Sequence, residues 1–418
     1  MKSELPLRAN RLLPALCAAA IALGCYGPGG TRPDILLVTL DTLRADRLDL
    51  ARRTSPSIER LAAGGVVFAE ARSASGWTMP SMASLLTGRR PEVHGAVSPD
   101  AAISSDLPTL AEILRESGYE TRAYVSHEML GTRYGFHHGF DRFDETLAAS
   151  GDARLDARAQ TLTDRVLDDV DRRPPGRPWF LWVHYSDEGV GGGAAASSPS
   201  EAEGRYDDRI AFTSRQVGRL LDGLARRGLL DGAVRVLTAA HGEEFAPAGA
   251  LHDSLHAGVL QIPIVIGAPR LEPGKRSLLA RDIDVAPTVL SLVEIQAPVE
   301  WSGCDLFTVA PDEDLPAFYA RDVPAGFVQR AVRIGDRKLI VVEIAGEAGD
   351  RAPEAPHLAP GVYLYDKVRD PGETTNLYVR EDPLARALLA LLREHFRDPQ
   401  LGRRTDTAAA RAGARGGT

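Results

Sequence analysis

Thr78 is the residue of this chain best placed to do chemistry. It stands in Gly76-Trp77-Thr78-Met79-Pro80-Ser81-Met82-Ala83-Ser84-Leu85-Leu86-Thr87-Gly88-Arg89. The pattern predicts a short apolar helix. Thr78 is its N-cap, Pro80 lies in the first turn where Pro is tolerated, and Gly88 ends it. A side-chain oxygen there sits in the positive field of free N–H groups, which favours an anion. That suits a nucleophile attacking a phosphate or sulfate ester, although an ordinary capped surface helix has the same pattern.

The second candidate is Asp41, which ends the run Asp34-Ile35-Leu36-Leu37-Val38-Thr39-Leu40. An apolar run of strand length reads as a central parallel strand buried on both faces. Open α/β sheets place ligands at the carboxyl ends of such strands. Arg44, Arg47, Arg52 and Arg53 follow close behind, as an anion-holding cluster or a solvated helix face.

The elements that must position these residues alternate. Strands are expected at Thr121 to Ser126, Trp179 to Tyr185, Ala233 to Ala239 and Ile262 to Gly267, with amphipathic helices between them. The clearest helix runs from about Tyr206 to Leu229, with Ile210, Val217, Leu221 and Leu224 on one face. Alternation of this kind predicts an α/β fold with a mostly parallel sheet flanked by helices. Past about Ala310 the pattern changes to shorter strand-like pieces, among them Ala331 to Ile334 and Lys338 to Val342. Gly189 to Glu203 is rich in Gly, Ala and Ser and reads as a mobile loop.

The N-terminus reads as an export signal. Lys2, Arg8 and Arg11 precede an apolar stretch from Leu12 to Leu23, too short to span a bilayer comfortably. It closes as Ala22-Leu23-Gly24-Cys25, similar to a bacterial lipoprotein processing site. The expectation is a protein exported to the bacterial cell envelope and lipid-anchored through Cys25, which is its one predicted membrane contact. An ordinary secretory signal is the alternative. With Cys17 removed and Cys25 lipidated, Cys304 has no partner for a disulfide, and a Cys-ligated zinc site is excluded. The 418 residues and 44% hydrophobic content leave room for one large domain and a smaller appendage. The net charge of −8 argues against a nucleic-acid partner.

Taken together, these segments resemble the sulfatase family of the alkaline phosphatase superfamily. The markers are Leu40-Asp41-Thr42-Leu43-Arg44-Ala45-Asp46, the Thr78 block, Leu107-Pro108-Thr109-Leu110, Gly135-Phe136-His137-His138-Gly139-Phe140-Asp141, and the end of the Trp182-Val183-His184-Tyr185 strand. Thr238-Ala239-Ala240-His241-Gly242-Glu243, Asp284-Val285-Ala286-Pro287-Thr288 and Asp370-Pro371-Gly372-Glu373-Thr374-Thr375-Asn376-Leu377 complete the order. The resemblance implies an alkaline-phosphatase-like domain over 33–310 and a small C-terminal α+β subdomain over 311–396. Residues 1–25 would be the signal peptide, 26–32 a tether and 397–418 a disordered tail.

It also implies a hydrolase of a small-molecule or glycan ester, acting at a divalent metal (calcium, or manganese or magnesium). Asp41 and His241 would hold the metal. Thr78 would attack, Arg89 would shape the start of the nucleophile helix, and His252 would contact substrate. Several positions depart from the family pattern. Thr78 cannot become formylglycine as Cys or Ser does, and Met82 replaces a supporting Arg. Ala240 replaces a metal-binding Asp, so the metal site is weakened or lost. Asp187-Glu188-Gly189 lacks the family's His, and Ser126 and Glu128 stand where a Lys and a His are usual. His127 between them substitutes only if the backbone shifts. Glu243 or Glu244 is a conceivable replacement carboxylate. Three readings stay open: an altered hydrolase, an inactive relative that binds an anionic glycan or envelope polymer, or a structural envelope protein that merely retains the fold.

Overall fold

The computed structural model describes residues 32–48, 56–149, 155–186, 197–246, 249–251, 254–309, 317–323, 327–344 and 359–398. Cys25, the signal and residues 399–418 of the tail lie outside them. Among the described residues no helix is long and apolar enough to cross a membrane.

In chain order the first ten strands are β1 (Ile35–Leu40), β2 (Val66–Arg72), β3 (Glu120–Val125), β4 (Arg142–Asp144), β5 (Trp179–Tyr185), β6 (Val234–Ala239), β7 (Glu244–Ala246), β8 (Gly249–Leu251), β9 (Ile264–Gly267) and β10 (Gly274–Arg281). Eight of them form one sheet in the order β10-β2-β9-β6-β1-β5-β3-β4. β9 runs antiparallel to both neighbours, β2 and β6; the other pairs are parallel. Every residue of β1, β3 and β5 is buried, as expected for parallel strands covered on both faces. Two groups of helices flank the sheet. Pro56–Ala63, Leu155–Asp169 and Pro199–Ala225 pack together, and Thr78–Thr87 packs with Leu110–Glu116 and Val285–Leu292.

The strands expected at Thr121 to Ser126, Trp179 to Tyr185, Ala233 to Ala239 and Ile262 to Gly267 are present within two residues of their predicted ends. The long helix is displaced. It runs Pro199–Ala225, begun by Ser198, whose hydroxyl accepts the Glu201 amide, and by Pro199 at its first position. That cap overrides the reading of this stretch as loop up to Glu203.

A second, antiparallel sheet contains β11 (Ala317–Val323), β12 (Phe327–Ile334), β13 (Arg337–Ile344) and β14 (Gly361–Asp366). Its side chains alternate as a two-sided sheet requires. Leu339 and Val341 pack with Leu388, Leu389 and Leu392 of the Pro383–His395 helix. Ile340 and Val342 face the other way, into a cluster with Leu255 and Leu260.

Candidate active site

Four neighbouring parallel strands, β3, β5, β1 and β6, finish side by side. Their register pairs Val125 with His184 and Thr39 with both His184 and Thr238. The chain just past their ends delivers His127, Asp41 and His241 next to His184. Two backbone bonds continue the pairing: Asp41 N–H donates to Tyr185 O at 2.8 Å, and Ala240 N–H to Leu40 O at 2.9 Å. Thr42 then turns the chain with a φ of 56°, a left-handed conformation that few non-glycine residues adopt. The buried Tyr206 hydroxyl holds that turn. It donates to Thr42 O at 2.8 Å and accepts Arg44 N–H at 2.9 Å.

Thr78 is not the cap of its helix. Trp77 occupies that position in an extended conformation without a side-chain cap, and Thr78 is the first helical residue. The hydroxyl is engaged elsewhere: it donates to Asp41 Oδ1 at 2.9 Å and lies 3.3 Å from His241 Nε2. The helix is moored by Ser81, whose hydroxyl bonds Trp77 O and receives Ser73 Oγ at 2.7 Å. Gly88 ends it at a φ of 61°, and Met82 is wholly buried in the core.

Asp41 is surrounded by imidazoles. His127 Nε2 is 3.7 Å and His184 Nε2 3.8 Å from Oδ2; His241 Nε2 is 3.7 Å from Oδ1. Burial alone would raise this carboxyl, but His184, His127 and His241 outweigh it and hold the group well below the usual carboxylate range. The cluster is covered: the Asp41, His184 and His241 side chains are fully buried, and Thr78 is 2% exposed. A cavity of 540 Å³ is lined by Arg44, Asp46, Glu244, Phe245 and His256 rather than by the cluster.

Among the described residues the donor set does not fit a hard divalent cation. Calcium takes six to eight oxygens, and magnesium wants near-octahedral oxygen ligation. Here one carboxylate faces three imidazoles. Ala240, fully buried, offers only a methyl group. Glu243 does not replace it: both its oxygens are held by Arg209 Nη2, at 2.8 and 3.0 Å. Burial raises its pKa against the pull of Arg209. Glu244 bonds Ser254 and His256. Among the described residues no three His, Cys, Asp or Glu side chains are arranged to hold a metal.

The remaining candidates are placed as follows. Arg89 follows Gly88 at the far end of the helix from Thr78, its Nε buried without a hydrogen-bond partner. The helical rise from Thr78 to Thr87, roughly 14 Å, lies between it and the helix start, which places it away from Thr78. His252, Asp187, Arg52 and Arg53 lie outside the described residues. The arginine cluster is not an open anion pocket. Arg47 is spent on Asp46, Glu203 and Asp207, and Arg44 on Asp46 and Glu243 O. His127 joins the site without a shift in the flanking strand, because the 3₁₀ turn Glu128–Leu130 begins on it. His184 was the missed residue; its signal is one imidazole in the otherwise apolar end of β5.

The sulfatase family model matches residues 33–295. The chain belongs to the sulfatase family. Arylsulfatase A of Bos taurus is 25% identical over 472 aligned positions, covering 91% of this chain and 90% of that protein. N-acetylgalactosamine-6-sulfatase of Canis lupus familiaris is 27% identical, covering 78% and 74%. Among solved structures, one in complex with its substrate D-glucosamine-2-N,6-O-disulfate superposes with a TM-score of 0.71 at 16% identity, over 88% of this chain and 98% of that one. The phosphonate monoester hydrolase of Agrobacterium radiobacter reaches 0.68 at 17% identity, over 87% and 95%. The fold of this sulfatase-family chain is therefore alkaline-phosphatase-like.

Proposed function

We propose that this member of the sulfatase family hydrolyses a sulfate ester, with a phosphonate or phosphate ester as the neighbouring chemistry, and that Thr78 is its nucleophile. The observation that carries this reading is the single hydroxyl at the start of a ten-residue helix, 3.3 Å from an imidazole nitrogen. His241 Nδ1–H donates to Gly242 O at 2.8 Å, since a carbonyl only accepts. In the neutral ring this leaves the Nε2 lone pair towards Thr78. The Thr78 hydroxyl hydrogen turns from Asp41 Oδ1 to His241 Nε2; Oγ1 then attacks sulfur, the proton passes to Nε2, and the S–O bond to the alcohol breaks. The alkoxide takes that proton back from His241 Nε2–H, leaving the free alcohol, a neutral His241 and a sulfated Thr78. Water then attacks that sulfur, releasing hydrogen sulfate and restoring the hydroxyl. The free amides of the first helical turn stabilise the transferred oxyanions. Because Thr78 is 2% exposed, the covering chain must part for substrate to enter.

The substrate class is a sulfated glycan or small aryl ester, in keeping with the relatives. Export with lipidation at Cys25 belongs to the same reading; Cys25→Ser should release the protein from the envelope fraction. The test of the chemistry is a panel of aryl sulfates, phosphonate monoesters and sulfated amino sugars. Thr78→Ser should retain turnover and Thr78→Ala abolish it. Activity surviving in Thr78→Ala, or absent from the whole panel, would overturn the proposal.

A further inference from the structure

The poor fit of the donor set to a cation has a positive counterpart in the hydrogen positions. His127 Nδ1 accepts Met129 N–H at 3.0 Å, so the ring proton is on Nε2, the atom facing Asp41. Trp182 Nε1–H donates to Thr39 Oγ1 at 2.9 Å, and Thr39 Oγ1 lies 2.8 Å from His184 Nδ1. A hydroxyl that accepts from an indole has its own proton to give. Directed to Nδ1, it leaves the His184 hydrogen on Nε2, again facing Asp41. A metal ligand needs a lone pair at that position. His127 presents a hydrogen there instead, and His184 does so with Thr39 donating to its Nδ1. Asp41 Oδ2 and His184 Nε2 are both buried without another hydrogen-bond partner, so each is the natural complement of the other.

We propose that imidazole N–H groups from His127 and His184 have taken the place of the divalent cation in this chain, and that the Asp41–Thr78–His241 constellation is complete without metal. This goes beyond the hydrolytic reading and rests only on family membership and the geometry. The missing carboxylate at Ala240 and the N–H donors on the opposite side of Asp41 then belong together. The first leaves a metal short of a ligand; the second meets the Asp41 charge that a metal would meet.

The experiment reads metal and protons rather than turnover. Purified full-length protein is analysed for bound metal before and after dialysis against a chelator, and its thermal unfolding is recorded with millimolar calcium, manganese or zinc. The expected result is metal far below one per chain and a melting temperature unmoved by chelator or by ions. The second measurement is nitrogen NMR of histidine-labelled protein, with His127→Gln and His184→Gln for assignment only. Both residues should show a protonated Nε2 and a bare Nδ1, unchanged by zinc. One tightly held metal per chain whose removal lowers the melting temperature, or a bare Nε2 on either residue, would overturn the proposal. Failure of every ester in the turnover panel would leave it intact.

Discussion

Replacing Asp282 by Asn should flatten the dependence of stability on pH, and the size of the effect follows from where the carboxyl sits. Asp282 is completely buried, and burial pushes its pKa up to about 7 against the amides of Ala74 and Ile283 and the Ser73 hydroxyl; Asp284 adds to the rise. Arg72 and Arg281 line the small space beside it, but Arg281 is spent on Asp284 and Arg72 on Glu70. The unfolded carboxyl titrates near 3.8. Below that value both states hold the proton and the contribution to stability is complete. Between 3.8 and about 7 the unfolded chain loses its proton while the native one keeps it, so stability falls as pH rises and levels off above about 7. At ~1.4 kcal/mol per pH unit, the two units from pH ~5 to ~7 remove ~3 kcal/mol. Urea unfolding of the protein and of Asp282→Asn, at several values across pH ~5 to ~8, measures it. The difference between the two curves cancels every other titrating group, including His94, whose pKa burial lowers to about 4. Asp282→Asn should gain ~3 kcal/mol relative to the parent over that range. A difference independent of pH would mean an ordinary carboxyl and refute the reasoning. The site would feel the change, because Ser73 links Asp282 to Ser81 on the Thr78 helix.

Three further substitutions probe the supports of the site. Tyr206→Phe strips two hydrogen bonds from the turn after Asp41. It should cost ~1–3 kcal/mol in urea unfolding, and kcat should fall more than KM rises. Gly242→Ala places a methyl carbon 2.1 Å from Gly258 O. The resulting shift of His241 should lower kcat/KM by ~100-fold or more, measured on the best ester of the panel. Arg209→Met leaves the buried Glu243 carboxylate without its partner and should cost ~3–5 kcal/mol, read by thermal or urea unfolding; Arg209→Lys should restore part of it.

The centre of the sheet could be read from the sequence because parallel strands buried on both faces leave apolar runs, nearly unbroken in β1 and β5; β3 and β6 show it less cleanly, since Glu120, Arg122 and Arg235 interrupt them. Strands β2 and β10 could not. They lie towards one end of the sheet, and β10 carries exposed Gly274, Lys275 and Ser277 beside its buried positions, so no run of one character marks it. Asp41 and Thr78 announce themselves by position, at a strand end and a helix start. The roles of His127 and His184 depend on which ring atom faces Asp41, and that is set by Met129 N–H and by the Trp182–Thr39 relay. Neither partner is adjacent to its imidazole in sequence. The same holds for Glu243: only the folded chain shows that Arg209, 34 residues away, has claimed it.

Glu373 receives donors from three separate parts of the chain: Ala257 N–H at 2.7 Å, Lys338 Nζ at 3.1 Å and, as an ion pair, Lys367 Nζ at 3.4 Å. Lys338, on β13, also donates to Leu255 O, and burial lowers its pKa to about 8. This small charged knot binds the second sheet to the arm that runs back to Gly242 through Gly258. Pulling the sheet away would strand buried charges on both sides. The C-terminal sheet is thus tied to the first: the two sheets should melt in one cooperative transition, and amide exchange in β13 should report the same opening free energy as in β1.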